Sequence, residues 1–175
     1  MGRLALAVAM ALLMAGCAHE PAPYPAPKRP SEPIQREQPA PSPAVGVRRP
    51  VPAGERIAAL ARRMIGTPYR YGGQHPTEGF DCSGLVYYTH GAVGLAVPRV
   101  SRDQYRHARK IPLADAQPGD IIFFSDAAKL SHVAIYLGNG RFVHAPSSGR
   151  TVSEADLNAP YYRSHLVGIG RLHER

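Results

Sequence analysis

The sequence predicts an α+β domain in which N-terminal helices pack on an antiparallel sheet of about five to six strands. Three observations point there. Helix-periodic segments occupy residues 55–65 and 83–93, in the first half of the region 51–175. Short β-rich runs bounded by Gly, Pro and Asn fill the second half, from Ile121 to Leu172. Two of those runs flank Gly138-Asn139-Gly140, a strong hairpin signal. Helices followed by strands, rather than alternating with them, favour a segregated antiparallel sheet over a parallel one.

Each element has a local cause. Residues 55–65 carry Ile57, Leu60, Ala61, Met64 and Ile65 at helical spacing, and Gly66 and Pro68 end the helix. Residues 68–81 are rich in Gly, Pro and Thr and read as a loop. A second helix is expected over residues 83–93, with Asp81 as its N-cap and Gly94 closing it. Ser101-Arg102-Asp103-Gln104 has the form of a capping box and predicts a short helix. Pro118-Gly119-Asp120 turns the chain into Ile121-Ile122-Phe123-Phe124, a buried strand. Residues 132–137 and 141–145 form the hairpin, and residues 165–172 a last strand.

The ends of the chain differ from this domain. Met1-Gly2-Arg3 is a short basic start, and residues 4–15 are an apolar run too short to span a bilayer. Ala15-Gly16-Cys17 follows. The three parts read as a signal peptide over residues 1–16 that resembles those of bacterial lipoproteins, with Cys17 as the acylated first mature residue. Met14 stands three before Cys17, where such signals usually carry Leu. From Ala18 to Pro50, ten of 33 residues are proline. At about 3.1 Å per residue such a linker could extend on the order of 100 Å. The expected division is therefore 1–16 signal, 17–50 acylated Cys and Pro-rich linker, and 51–175 domain. The location expected is export, facing the periplasm. Ala18, rather than Asp, favours the outer membrane by resemblance to enteric lipoproteins.

The full chain has 21 Lys+Arg against 13 Asp+Glu, a formal charge of +8. The arginines of residues 51–175 are scattered, form no basic run and accompany no nucleic-acid motif, so a nucleic-acid partner is not expected. No feature sets an oligomeric state, and a monomer is expected.

Cys82 carries the chemistry. With Cys17 acylated, it has no disulfide partner, and a leftover cysteine in an exported chain is a candidate reactive thiol. It sits just ahead of a helix, where partial positive charge and free N–H groups favour a thiolate and could stabilise an oxyanion. His132 is the candidate base, and His144 the group that would orient it. The hairpin decides whether they meet. A three-residue loop, Gly138 to Gly140, sets Leu137 opposite Arg141 and Ala134 opposite His144, which puts both histidines on one face. A two-residue Asn139-Gly140 turn puts them on opposite faces unless a bulge intervenes. Taken singly, each residue has a plain structural reading: a buried thiol, a packed strand histidine. A zinc site from Cys82, His132 and His144 is chemically conceivable, but the sequence has no close-spaced ligand pair. His19, His75, His90, His107, His165 and His173 read as surface or loop residues, and Tyr87 and Tyr88 as helix packing.

Six segments, in order, resemble the NlpC-type cysteine peptidases, bacterial cell-wall endopeptidases with a papain-like core, and among them the short lipoproteins. They are Gly66-Thr67-Pro68-Tyr69-Arg70-Tyr71-Gly72-Gly73, Phe80-Asp81-Cys82-Ser83-Gly84-Leu85, Pro98-Arg99-Val100-Ser101-Arg102-Asp103-Gln104, Pro118-Gly119-Asp120-Ile121-Ile122-Phe123-Phe124, Ser131-His132-Val133-Ala134-Ile135-Tyr136-Leu137-Gly138 and Phe142-Val143-His144-Ala145. The resemblance implies Cys82 as nucleophile, His132 as general base and acid, and His144 as the orienting residue. It implies Tyr69 near the oxyanion or substrate, and Ser83 along the substrate groove, with Asp81, Arg99 and Ser101 as further substrate-side candidates. The loop from Gly73 to Cys82 is slightly long for the family. The implied substrate is peptidoglycan, cut at diaminopimelate–D-Ala or at D-γ-Glu–diaminopimelate through an acyl-enzyme, with no metal or cofactor. Arg70 or Arg99 could pair with stem carboxylates. Two other readings stay open: an amidase or acyltransferase on the same scaffold, and a non-catalytic cell-wall-binding lipoprotein.

Overall fold

The structure is a computed structural model and describes residues 49–126 and 129–173. The expected signal 1–16, Cys17 and the linker up to residue 48 lie outside the described residues. In chain order the elements are α1 (Ala53–Arg63), β1 (Gln74–His75), β2 (Gly79–Phe80), α2 (Cys82–Gly91), α3 (Ser101–His107), β3 (Arg109–Ile111), a 3-10 turn at Leu113–Asp115, β4 (Ile121–Asp126), β5 (Lys129–Gly138), β6 (Arg141–His144), β7 (Ser153–Asp156), α4 (Pro160–His165) and β8 (Leu166–Arg171). Six strands form one sheet in the order β3-β8-β4-β5-β6-β7, every neighbouring pair antiparallel. The expected α+β class and sheet size are those observed.

The sheet is apolar on both faces, which is why its central strand reads as an unbroken hydrophobic run. Ile121 and Phe123 of β4 point to the side where Ile57, Ala58 and Ala61 of α1 and Leu85 and Val86 of α2 pack. Ile122 and Phe124 point to the other side, against Phe142, Leu157, Ile169 and Tyr162 of α4. Each fully buried Phe or Ile of this kind contributes roughly 1.5–3 kcal/mol. α1 runs two residues earlier at both ends than its apolar spacing suggested. Ile65 therefore falls past the helix and stays exposed.

Four elements were not expected: the β1–β2 hairpin, β3, β7 and α4. All are short, and β1 and β7 lack a run of apolar residues. α4 ends at His165, so the last strand begins at Leu166. The capping box is a second correction. α3 follows Val100 with no side-chain cap, because Gln104 turns inward and donates to the carbonyls of Ser83 and Pro98 at 3.0 and 2.9 Å. His90 is a third: it is fully buried in α2, with Nδ1 on the Val86 carbonyl at 2.9 Å and its pKa pushed down to about 4, first by burial. The helix packs against the hairpin, the sheet, α1 and α3, so His90 faces protein although Tyr87 and Gly91 stay exposed.

Asp120 and Arg171 form a buried pair across the sheet, Nε to Oδ1 at 2.7 Å and Nη2 to Oδ2 at 2.9 Å. Asp120 is fully buried. Asp120→Ala leaves a buried guanidinium without its carboxylate and should cost about 3–5 kcal/mol of unfolding free energy. Glu154→Ala breaks the more exposed pair with Arg141 and should cost under about 1 kcal/mol. Urea denaturation of both variants checks the ranking, and equal losses would refute it.

Candidate active site

Asp81 sets the start of α2. Its backbone is extended, and its carboxylate accepts from the Gly84 amide at 2.6 Å, the Ser83 hydroxyl at 3.1 Å and the Gly72 amide at 3.0 Å. Arg99 closes over it, with Nη2 at 2.9 Å from Oδ2 and Nη1 at 3.1 Å from Oδ1. Burial works to raise the Asp81 pKa, but the Arg99 hydrogen bond, the Gly84 amide and the Ser83 hydroxyl outweigh it and hold the carboxyl below its ordinary value. A Cβ at Gly84 would collide with the Gly73 carbonyl oxygen, so only glycine lets the helix seat this closely on the loop. Asp81, Ser83 and Arg99 thus bond to one another. Arg99 also reaches the Gly73 carbonyl and Gln74. Ser101 opens α3 and is not among the residues lining the cleft at His132.

This clamp holds Cys82 at the first position of α2. β6 pairs with β5 only as far as Val143 opposite Ile135, and its last residue is His144. Beyond it the backbone of β5 has no strand on that side among the described residues, and the Val133 amide is near enough to Cys82 to favour its anion. The nucleophile candidate therefore lies against the peptide that joins His132 to Val133.

The histidines meet through a bulge. Asn139 and Gly140 both have positive φ, 52° and 72°, and make a two-residue turn with Gly138 opposite Arg141. Leu137 is the extra residue, and beyond it Tyr136 pairs with Phe142 and Ile135 with Val143. Continuing that register sets Ala134 opposite His144. His132 and His144 then share the α4 face of the sheet. His132 Nε2 is 2.9 Å from His144 Nδ1. If His132 donates here, its Nδ1 is left as a lone pair able to take a proton. His144 Nε2 then carries a hydrogen, and Tyr162 Oη lies 3.5 Å from it.

Charge in the site is governed by burial. It raises the Cys82 pKa above the ordinary 9.0, and the nearby Asp81 carboxylate adds to the rise. The Val133, Ser83 and Cys82 amides lower it, as a helix N-terminus should, but do not win. The thiolate expected from the helix terminus alone is therefore not the resting form. His132 is pushed from 6.5 down to about 3, first by burial and then by His144. His144 falls to about 4, first by burial and then by the Arg150 charge. At neutral pH the site holds a thiol and two neutral imidazoles.

Tyr69 lies beside Cys82. Its phenol is raised above 10.0 by burial and then by the neighbouring Cys82 and Asp81 charges. Its amide donates to the Arg150 carbonyl at 2.8 Å. A cleft of about 600 Å³ opens at the two histidines, lined also by Asp126, Arg150, Tyr161 and Tyr162. Sequence reasoning missed Arg150 and Tyr162, since nothing in their local sequence marks them. A concavity of about 620 Å³ on the far side of α2 includes Tyr87 and Tyr88 but neither Cys82 nor a candidate histidine. Tyr88 packs on Phe80, whereas Tyr87 is 40% exposed rather than packed.

The NlpC/P60 family profile matches residues 66–171, more than half of the chain. The chain belongs to the NlpC/P60 family. The bifunctional muramidase/DL-endopeptidase CwlT of Bacillus subtilis is 38% identical over 121 residues, 67% of this chain and 36% of that protein. The murein DD-endopeptidase MepH of Escherichia coli is 38% identical over 115 residues, 63% of this chain and 42% of that protein. The chain thus spans less than half the length of these two relatives. A crystal structure of an NlpC/P60 family protein from Bacillus cereus superposes with a TM-score of 0.67 at 32% identity, covering 71% of this chain and 42% of that one.

The burial-dominated site predicts a specific titration. Alkylation of Cys82 by iodoacetamide should accelerate with an inflection above pH 9, and the His132 and His144 ring signals in NMR should show no protonation until below pH 5. An alkylation inflection below pH 7 would mean a resting thiolate–imidazolium pair instead.

Proposed function

We propose that this protein is a cysteine endopeptidase of peptidoglycan, with Cys82 as nucleophile, His132 as general base and acid, His144 as the residue that orients His132, and Tyr69 at the oxyanion. The 2.9 Å hydrogen bond between His132 and His144, beside a thiol seated at the Val133 amide, carries the reading. Family membership and the endopeptidase names of the relatives support it.

The mechanism follows from the neutral resting site. As the sulfur attacks a stem-peptide carbonyl, the thiol proton passes to His132 Nδ1. The imidazolium that forms is steadied through its Nε2–H by His144. In this reading the Cys82 amide and the Tyr69 hydroxyl receive the developing oxyanion. Collapse breaks the C–N bond, His132 returns the proton to the leaving amine, and a thioester remains. Water, deprotonated by His132, then releases the acid. The relatives' names divide between DL and DD bonds, so the choice between the D-γ-Glu–diaminopimelate and diaminopimelate–D-Ala amides is made by experiment.

Purified peptidoglycan treated with the protein should give products visible by mass spectrometry, absent with Cys82→Ala. Loss of crosslinked dimers identifies a DD-endopeptidase, and dipeptide-truncated stems identify a DL-endopeptidase. His132→Ala should lower kcat by about 10³-fold and His144→Ala by about 10²-fold. Full activity in Cys82→Ala would overturn the assignment.

We propose further that Cys17 is acylated and that the protein is a lipoprotein of the outer membrane. The support is sequence alone: the basic start, the apolar run and Ala15-Gly16-Cys17, with Ala18 after it. Cys17→Ser should abolish incorporation of labelled palmitate and release the protein from membranes. Unchanged membrane association in that variant would count against the anchor.

A further inference from the structure

The cleft at the histidine pair holds one cation whose role the reaction above does not use. Arg150 lies on the segment between β6 and β7, and its backbone is fixed there by two hydrogen bonds. Its carbonyl accepts from the Tyr69 amide at 2.8 Å, and its own amide donates to the Ser147 carbonyl. Its side chain lines the cleft with His132, His144 and Tyr162. It is near enough to disfavour protonation of His144 and to favour ionisation of the Tyr162 phenol. Among the described residues its guanidinium has no salt bridge and no side-chain hydrogen bond. Of the two arginines considered for substrate carboxylates, Arg99 is committed to Asp81, and Arg70 is exposed and does not line this cleft. Asp126, also on the cleft wall, makes the cleft mixed in charge. General attraction of anions is therefore a poor account of Arg150, and a discrete contact a better one.

We propose that Arg150 binds a free carboxylate of the stem peptide that flanks the scissile amide, and so selects carboxylate-bearing over amidated substrates. This rests on the peptidoglycan reading above. Both candidate bonds satisfy its chemistry. A γ-linked D-glutamate keeps its α-carboxylate free, three carbons from the scissile carbonyl, and diaminopimelate bears a carboxylate on the carbon attached to the scissile nitrogen. A planar guanidinium can meet either with two parallel N–H···O bonds. Such a contact at the wall of the cleft would hold the peptide beside His132 and His144.

The test separates binding from cleavage. Three peptides are compared: L-alanyl-γ-D-glutamyl-diaminopimelate, the same peptide amidated at the glutamate α-carboxylate, and the same peptide amidated at the diaminopimelate carboxylates. Calorimetry measures their affinity for the Cys82→Ala protein, which cannot turn them over, with and without Arg150→Gln. One of the two amidations should weaken binding about tenfold or more, and Arg150→Gln should weaken the free peptide by a like factor while leaving that amidated peptide unchanged. Arg150→Lys should restore part of the preference. Equal affinities for all three peptides, or an equal loss for all three on Arg150→Gln, overturn the proposal. Arg150-dependent discrimination with no cleavage by the Cys82 protein of either the tripeptide or a crosslinked D-Ala–diaminopimelate dimer would sink the peptidase reading and leave this one standing.

Discussion

One extra residue in a hairpin holds the site together. Leu137 is inserted between the Asn139-Gly140 turn and the regular β5–β6 ladder, and without it the side-chain parity of the two strands would disagree. His132 and His144 would then point to opposite faces of the sheet, one toward α1 and α2 and the other toward α4. With the bulge, both rings lie on the α4 face. His132 stacks on Phe124 and His144 sits edge-on to Phe142. The hydrogen bond between them is a consequence of register before it is a feature of chemistry.

A second constraint sets where the thiol lies. α2 packs on the helix face of the sheet, yet the proposed reaction requires its first residue to reach a histidine on the opposite face. The short length of β6 permits this, because it leaves the β5 backbone open at Val133. The Asp81–Arg99–Ser83 cluster and the glycine at position 84 then fix the depth of the helix end. The same depth that places the sulfur also desolvates it. Three amides favour the anion, but burial and the Asp81 charge oppose it, and the thiol is the resting form. Arg99 is thus electrostatic as well as structural, since it offsets the carboxylate that would otherwise press harder on Cys82.

The sequence carried the large elements because their causes are local. Periodicity marks α1 and α2, unbroken hydrophobicity marks β4, and Gly138-Asn139-Gly140 marks the hairpin. It also reduced the site to a question of register, with the bulge as one of two acceptable answers. What it could not carry is set by distant contact. β7 and β3 have few apolar residues and become strands only because a neighbour offers a ladder. Gln104 looked like a capping residue but serves Ser83 from 21 positions away. His90 reads as surface because nothing local reveals that its side of α2 is buried while Tyr87 stays exposed. Tyr162 and Arg150 join the site through α4 and a loop, elements whose positions no short-range pattern encodes.

The charges around the site fit together once Arg150 has a substrate partner. Without one, its guanidinium opposes protonation of His144, the hydrogen-bond partner of His132. Proton transfer from Cys82 to His132 creates an imidazolium. A substrate carboxylate on Arg150 would neutralise the guanidinium and relieve its effect on His144, the residue that steadies the imidazolium. Recognition and activation would then be one electrostatic event. A peptide lacking the carboxylate would meet a site whose thiol stays protonated and whose imidazoles stay weak bases, and would be disfavoured in the transition state more than in binding.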